Sequence, residues 1–267
     1  MLHSEFLPAD LDQLPALQPP TWGDLVPRFA YFIESEYCRP IKISENGQVV
    51  AIGTSIYHQD TVWLACIVVH PDHRNKGLGL TMTKSLIQDI DQERYQTIYL
   101  DATDFGYPVY LKLNFGVEMA YGHFSRKEPL SSSSSLSEKI LPFSEEYKNQ
   151  IFELDRQVSG EDRRGVLSDF IGSAYLYMEE SRVLGYYIPD WGDGPVLAID
   201  DVAGIELLRM HIQRAGTAIL PIDNKSAIQF LEANGFQQLR FSRRMVLGKK
   251  RDWKADKIFN RISGQLG

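Results

Sequence analysis

From Val68 to Leu80 the chain reads Val-Val-His-Pro-Asp-His-Arg-Asn-Lys-Gly-Leu-Gly-Leu. An apolar run, Val62 to Val69, leads into Pro71, which cannot continue a central sheet ladder. A basic, glycine-rich turn follows, and then a segment with helical periodicity. This order of elements builds an anion site. The first amides of a helix have no partner inside it and carry the positive end of its dipole. Gly77 and Gly79 lack side chains, so a phosphate can approach their backbone closely. Arg74 and Lys76 add positive charge. The competing reading is a plain strand–turn–helix whose glycines only make the turn. The spacing is neither that of a Walker loop nor that of a dinucleotide fingerprint.

A second constellation lies downstream: Thr103-x-x-Gly106-x-x-Val109-Tyr110-x-x-x-Asn114-Phe115. Tyr110 offers a phenolic proton, and its alternative role is that of a core aromatic on a helix. The pattern recurs in the second half as Asn224-x-x-Ala227, Leu231 and Asn234-Gly235-Phe236. The repeat pairs Thr103 with Asn224, Gly106 with Ala227 and Tyr110 with Leu231. Asn114 and Gly235 both end a helix where the chain needs a left-handed residue, and Asn and Gly are the types that tolerate it.

These residues resemble those of the GNAT N-acetyltransferases. Val69-x-Pro71-x-x-Arg74-x-x-Gly77-x-Gly79 is similar to the family's signature V-x-P-x-x-R-x-x-G-x-G. The segment Leu100 to Phe115 is similar to its fifth strand and following helix, with Thr, Gly and Asn where Asn, Ala and Gly are usual. The resemblance implies an α/β (α+β) fold: tandem GNAT folds, each a mixed, mostly antiparallel sheet flanked by helices. It implies acetyl-CoA as cosubstrate and no metal. The backbone at Ile67, Val68 and Val69 would hold the pantetheine arm as an added strand. The turn Arg74, Asn75, Lys76, Gly77, Leu78, Gly79 would hold the pyrophosphate, with Thr103 also in the cofactor site. Tyr110 would protonate the leaving thiolate. An amine would attack the thioester directly in a ternary complex. No general base is assigned. The strand 61–69 holds no carboxylate, and Asp101, Asp104, Glu34 and Glu36 are weak candidates. His70 and His73 are expected to face solvent. The alternative function is a non-catalytic acyl-CoA sensor, which would not need Tyr110.

The second half departs from this pattern. The segment before its long helix has no Arg-x-x-Gly-x-Gly; Asp200 and Asp201 stand there, good helix caps and poor phosphate neighbours. Leu231 cannot donate a proton. The layout resembles two-domain GNAT proteins with a GNAT-like C-terminal half, here degenerate and not binding CoA in the usual way. The expected division is a catalytic domain 1–128, a Ser-rich linker 129–137 and a degenerate domain 138–267. Leu154 to Arg163 is similar to the second domain's opening motif. Asp155, Asp162 and Arg163 are therefore candidates for a substrate pocket between the halves, or for a salt-bridged helix cap.

The elements that must position these residues follow from periodicity. Helices are expected at 8–17, 25–37, 80–91 and 109–113, with strands at 41–44, 49–57, 61–69, 97–100 and 117–124. Asn46-Gly47 marks a hairpin. In the second half, helices are expected at 151–158, 164–170, 202–213 and 226–233. Strands are expected at 175–179, 183–188, 217–221 and 240–246. The net charge of −7 argues against a nucleic-acid partner. The first 130 residues hold 16 Asp+Glu against 10 Lys+Arg, which suits either a cationic substrate or a solubilising surface. No apolar run has the length of a membrane span. Cys38 and Cys66 fit a reducing compartment, with Cys66 a small buried hydrophobe. The expectation is a cytoplasmic enzyme with a small-molecule amine as partner, no nucleic acid and no membrane. Tandem repeats favour a monomer.

Overall fold

The structure is a computed structural model that describes residues 3–20, 22–127 and 136–266. Most of the expected serine linker lies outside the described residues.

The chain opens with a short strand β1 (Ser4–Glu5), a 3-10 turn at Pro8–Gln13 and helix α1 (Leu14–Leu17). The expected single helix over 8–17 is therefore two pieces, with prolines at the start of each. Helix α2 (Leu25–Glu34) starts at Asp24, whose side chain accepts a hydrogen bond from the Val26 amide at 2.9 Å. Leu25, Phe29 and Phe32, at helical spacing, are its buried face. It stops before Tyr37 because Ser35 turns extended.

Strands β2 (Cys38–Glu45), β3 (Gln48–Tyr57) and β4 (Val62–Val69) follow as consecutive antiparallel partners. Asn46 and Gly47 make the first turn with φ of 51° and 82°, the left-handed pair such a hairpin needs. Then come α3 (Leu78–Gln88), β5 (Thr97–Ala102), α4 (Tyr107–Leu111) and β6 (Gly116–Ser125).

The second half holds β7 (Ile140–Pro142), α5 (Lys148–Ser159), α6 (Arg164–Phe170), β8 (Tyr175–Glu179), β9 (Arg182–Tyr187) and β10 (Val196–Ala198). It continues with α7 (Asp201–Arg214), β11 (Thr217–Pro221), α8 (Lys225–Ala233), β12 (Gln237–Gly248) and β13 (Ile258–Asn260).

The two sheets do not divide as the sequence does. The larger runs β1-β2-β3-β4-β5-β12-β6-β11, and the smaller β13-β10-β9-β8-β7. Strand β12, from the second half, lies between β5 and β6 of the first and pairs antiparallel with both. Strand β11 pairs with the other edge of β6. The central sheet thus belongs to both halves. One face packs on α3 and α4 through Leu78, Met82, Leu86, Leu100, Tyr110 and Phe115. The other face, with Trp63, Ala65 and Tyr99, packs on α2 and the second half.

Candidate functional site

Strands β4 and β5 run parallel, but their pairing is confined to Val62 with Ile98 and Trp63 with Tyr99. Beyond Trp63 they part, and β4 continues to Val69 paired on its β3 side. Its other edge there is open to an extended ligand. The register with β3 shifts at this level, and Cys66 takes φ of 49°. A buried non-glycine residue in the left-handed region is a strained bulge, of the kind that re-aims backbone groups beside a site. Sequence reasoning took Cys66 for a plain buried hydrophobe, because nothing in a run of apolar residues marks a bulge.

At the end of β4 the chain makes a 3-10 turn, Pro71–His73, and enters α3 through Gly77. Asn75 and Gly77 have φ of 62° and 82°, so the loop passes twice through the left-handed region before the helix begins. No side chain caps α3. A Cβ added at Gly77 would meet nothing within 4 Å, and one at Gly79 would meet only Val69 Cγ2 at 3.8 Å. The glycines therefore leave room above the helix start rather than relieve a clash inside the protein. Arg74, Asn75 and Lys76 are exposed around this space, and Arg74 Nε donates to the Val69 carbonyl at 3.3 Å. Leu78 is buried and anchors the helix to the core.

His70 corrects an expectation. It is buried, its Nδ1 accepts from the Asp72 amide at 3.3 Å, and its Nε2 lies 3.2 Å from Gln48 Nε2. It caps the turn instead of facing solvent. His73 is half-buried beside Glu45, at 3.2 Å.

Thr103 and Asn224 do the same work in the two halves. Thr103 Oγ1 accepts from the Gly106 amide at 3.3 Å, and Asn224 Oδ1 from the Ala227 amide at 3.0 Å. Asn114 and Gly235 close the two helices with φ of 62° and 80°. Tyr110 is buried between α3 and α4 and meets Phe115 edge-on, with ring centroids 6.0 Å apart. Burial, and then the charge of Asp101, hold its phenol above the usual tyrosine range, so it keeps its proton.

The second half is arranged differently at the corresponding place. Asp200 caps α7 by accepting from the Ala203 amide at 3.0 Å. Strands β10 and β11 stand where β4 and β5 stand in the first half, and β13 lies between them. It pairs with β10, while Asn260 Oδ1 accepts from the Ile219 amide at 2.6 Å and the Arg261 amide donates to the Ile219 carbonyl. The chain fills its own slot.

Of the three second-half candidates, two bind each other. Arg163 forks onto Asp155 at 3.1 and 2.6 Å, and Tyr186 adds its hydroxyl to the same carboxylate. Both side chains are buried. Asp162 instead pairs with Arg164 and lines a cleft of about 510 Å³ between the halves, with Tyr37, Arg39, Tyr57, His58 and Arg94. That cleft sits at the start of β4, away from the glycine turn.

A residue that sequence reasoning missed is Glu161. Its carboxylate is fully buried and accepts from Thr61 Oγ1 at 2.6 Å and Trp63 Nε1 at 2.9 Å. Burial is the largest influence and works against its charge, but Arg244, His58, Arg163 and the Thr61 hydroxyl together outweigh it and hold the carboxyl below its ordinary range. It ties the second half to the last paired residues of β4.

Residues 5–115 match the model of the acetyltransferase (GNAT) family, and residues 151–260 match a second model, the acetyltransferase (GNAT) domain. No curated protein matches the chain. Among solved structures, a Pyrococcus horikoshii protein assigned as an acetyltransferase shares 21% identity. The match spans 100% of this chain and 95% of that one, with a TM-score of 0.84. A GCN5-related N-acetyltransferase from Sphaerobacter thermophilus (12% identity, TM-score 0.61) matches over 95% and 98% of the two chains. A tandem GNAT protein from the clavulanic acid biosynthesis pathway (14%, 0.58) matches over 91% and 94%. The two family matches together span most of the chain, and the solved structures show the same tandem fold. This chain belongs to the GNAT acetyltransferase family, as a two-domain acyltransferase whose family uses acyl-CoA as cosubstrate.

Proposed function

We propose that the chain transfers an acetyl group from acetyl-CoA to a primary amine of a small molecule, by direct attack in a ternary complex. The observation that carries this reading is the parting of β4 and β5 beyond Trp63, beside the Cys66 bulge and above a glycine-open helix start. The free edge at Ile67, Val68 and Val69 suits the amide-bearing pantetheine arm, which would bind as a strand. The turn Arg74 to Gly79 suits the pyrophosphate, with the open space at Gly77 and Gly79 as its seat. Thr103, whose hydroxyl accepts from the Gly106 amide, shapes the site through the turn before α4.

The chemistry then falls to few groups. The amine nitrogen attacks the thioester carbonyl, and backbone N–H at the bulge faces the developing oxyanion. Tyr110, kept protonated by burial, gives its proton to the departing thiolate. Residues 1–128 supply this machinery and residues 138–267 a GNAT-like half that does not take CoA. Two buried free cysteines fit the reducing cytosol, and the tandem repeat fits a monomer. Titration calorimetry with acetyl-CoA, followed by an amine panel read through free CoA, tests the assignment. Tight acetyl-CoA binding with no acceptor turned over would favour a sensor instead.

A further inference from the structure

On the side of the central sheet that looks toward the second half lies a buried polar layer. The registers Asp101↔Arg244↔Met119 and Ser242↔Tyr121 put Asp101, Arg244, Ser242 and Tyr121 on one face, with Tyr99 two residues before Asp101. Arg244 pairs with Glu118 at 2.7 Å and with Glu161 at 3.3 Å. Arg261 pairs with Asp101, and with Asp193 at 3.1 Å. These ion pairs set four carboxylates against two guanidiniums. The adjoining His123 is neutral: burial, then Arg261, push its pKa down to about 3.

Three polar atoms in this layer are buried without a well-formed hydrogen bond: Asp101 Oδ1 and the hydroxyls of Tyr99 and Tyr121. The Asp101 side chain is 6% exposed, and Tyr99 and Tyr121 are fully buried. Orphaned acceptors at this depth carry a desolvation cost that a ligand can remove. Gly264 keeps its backbone against the Asp101 carboxylate, where a Cβ would come within 3.2 Å of Oδ2. Asp101 lies two residues beyond Tyr99, past the point where β5 parts from β4. Tyr110 packs on the opposite face of the sheet.

We infer that Asp101 is the anionic anchor of the acceptor, and that the acceptor enters as a cationic primary amine between the two halves. This rests on the acetyl-transfer reading above. A primary ammonium has three N–H donors and no acceptor, which suits the orphaned Asp101 Oδ1 in a layer whose ion pairs hold more carboxylates than guanidiniums. Attack comes from the Asp101 face, while the leaving sulfur takes its proton from the Tyr110 face. The C–N bond forms as the C–S bond breaks. Of the two protons the nitrogen loses, one goes to solvent and one balances the proton the thiolate takes up.

The test uses the whole chain. Acetyl-CoA binding is measured first by calorimetry, and no binding would overturn the acetyl-transfer reading and this inference together. With binding established, n-propylamine, putrescine, agmatine and spermidine are compared with aniline, which is uncharged at neutral pH. The expected result is acetylation of the cations and little of aniline. Asp101→Asn should raise KM for the cations by about ten- to a hundredfold, the usual range for a charge-assisted contact, with acetyl-CoA affinity unchanged. Tyr121→Phe and Tyr99→Phe, which remove only the two hydroxyls and keep both rings, that of residue 99 against Arg244, should raise the same KM a few-fold. They keep the test standing if Asp101→Asn does not fold. Preference for aniline, no cation turned over, or unchanged KM in the variants would overturn the anchor while leaving the acetyl-CoA site intact.

Discussion

Trp63 stands opposite Tyr99 at the last point where β4 and β5 are paired. The same two rings hold the Arg244 guanidinium, 4.9 Å and 4.1 Å from their centroids. The fork in the sheet is therefore pinned by a cation from the second half. The indole N–H is taken by Glu161, also from the second half.

Gly79→Ala tests the phosphate seat with little disturbance of the fold. Nothing in the protein obstructs the added methyl, and alanine favours a helix over glycine by about 0.5–1 kcal/mol. Stability should hold or rise while acetyl-CoA affinity falls at least about tenfold. Thermal melting and calorimetry on one sample read both. Undiminished affinity would remove the turn from the cofactor site.

Tyr110→Phe keeps the ring that packs on Phe115 and removes the proton. Turnover should drop by about a hundredfold, with acetyl-CoA affinity nearly unchanged. Equal turnover would reduce Tyr110 to a core aromatic.

Acetyl-CoA should bind with a stoichiometry of one per chain. In the second half β13 occupies the slot and Asp200 caps the helix. A second site of comparable affinity would contradict that reading.

A fragment ending at residue 128 should not fold. It lacks β12, so β5 and β6 would face each other across a missing strand, with unpaired edges. Soluble, dispersed amide resonances from residues 1–128 would disprove this.

His58 gives a pH signature. Burial pushes its pKa down to about 4 from an ordinary 6.5, and neither ring nitrogen has a hydrogen bond. The unfolded chain then binds a proton between pH 6.5 and 4 that the folded chain does not. Stability should fall as pH falls through that window, by on the order of 1–3 kcal/mol. His58→Leu should flatten this part of the curve in urea titrations. An unaltered slope would mean that His58 charges freely in the folded protein.

Much of this site was legible in the sequence, because its signals are local. The glycine turn, the Asn46-Gly47 hairpin, the cap at Asp200, and the left-handed Asn114 and Gly235 each depend on a few adjacent residues. What escaped depends on distant pairing. Nothing near Arg244 announces that its strand lies between Asp101 and Met119, since a ladder leaves no mark in either partner's local pattern. The clue was an arginine within an otherwise apolar strand end, Arg244-Met245-Val246, which needs buried anions. Asp155 and Arg163 come from the second domain's opening motif, either as pocket residues or as a salt-bridged cap, and each has the other as partner. Strand β13, three residues long, is too short for periodicity to find.

The place of β12 also bears on how the chain is made. Strands β5 and β6 leave the ribosome well before residue 248. At ~5–20 residues per second, β6 waits on the order of ten seconds for the strand that fits beside it. During that time the nascent chain presents two open edges around an unfilled gap, a natural client for a holding chaperone. The proposed acetyl-transfer site lies on the other edge of β5. It would therefore mature only after synthesis of the second half, which supplies β12.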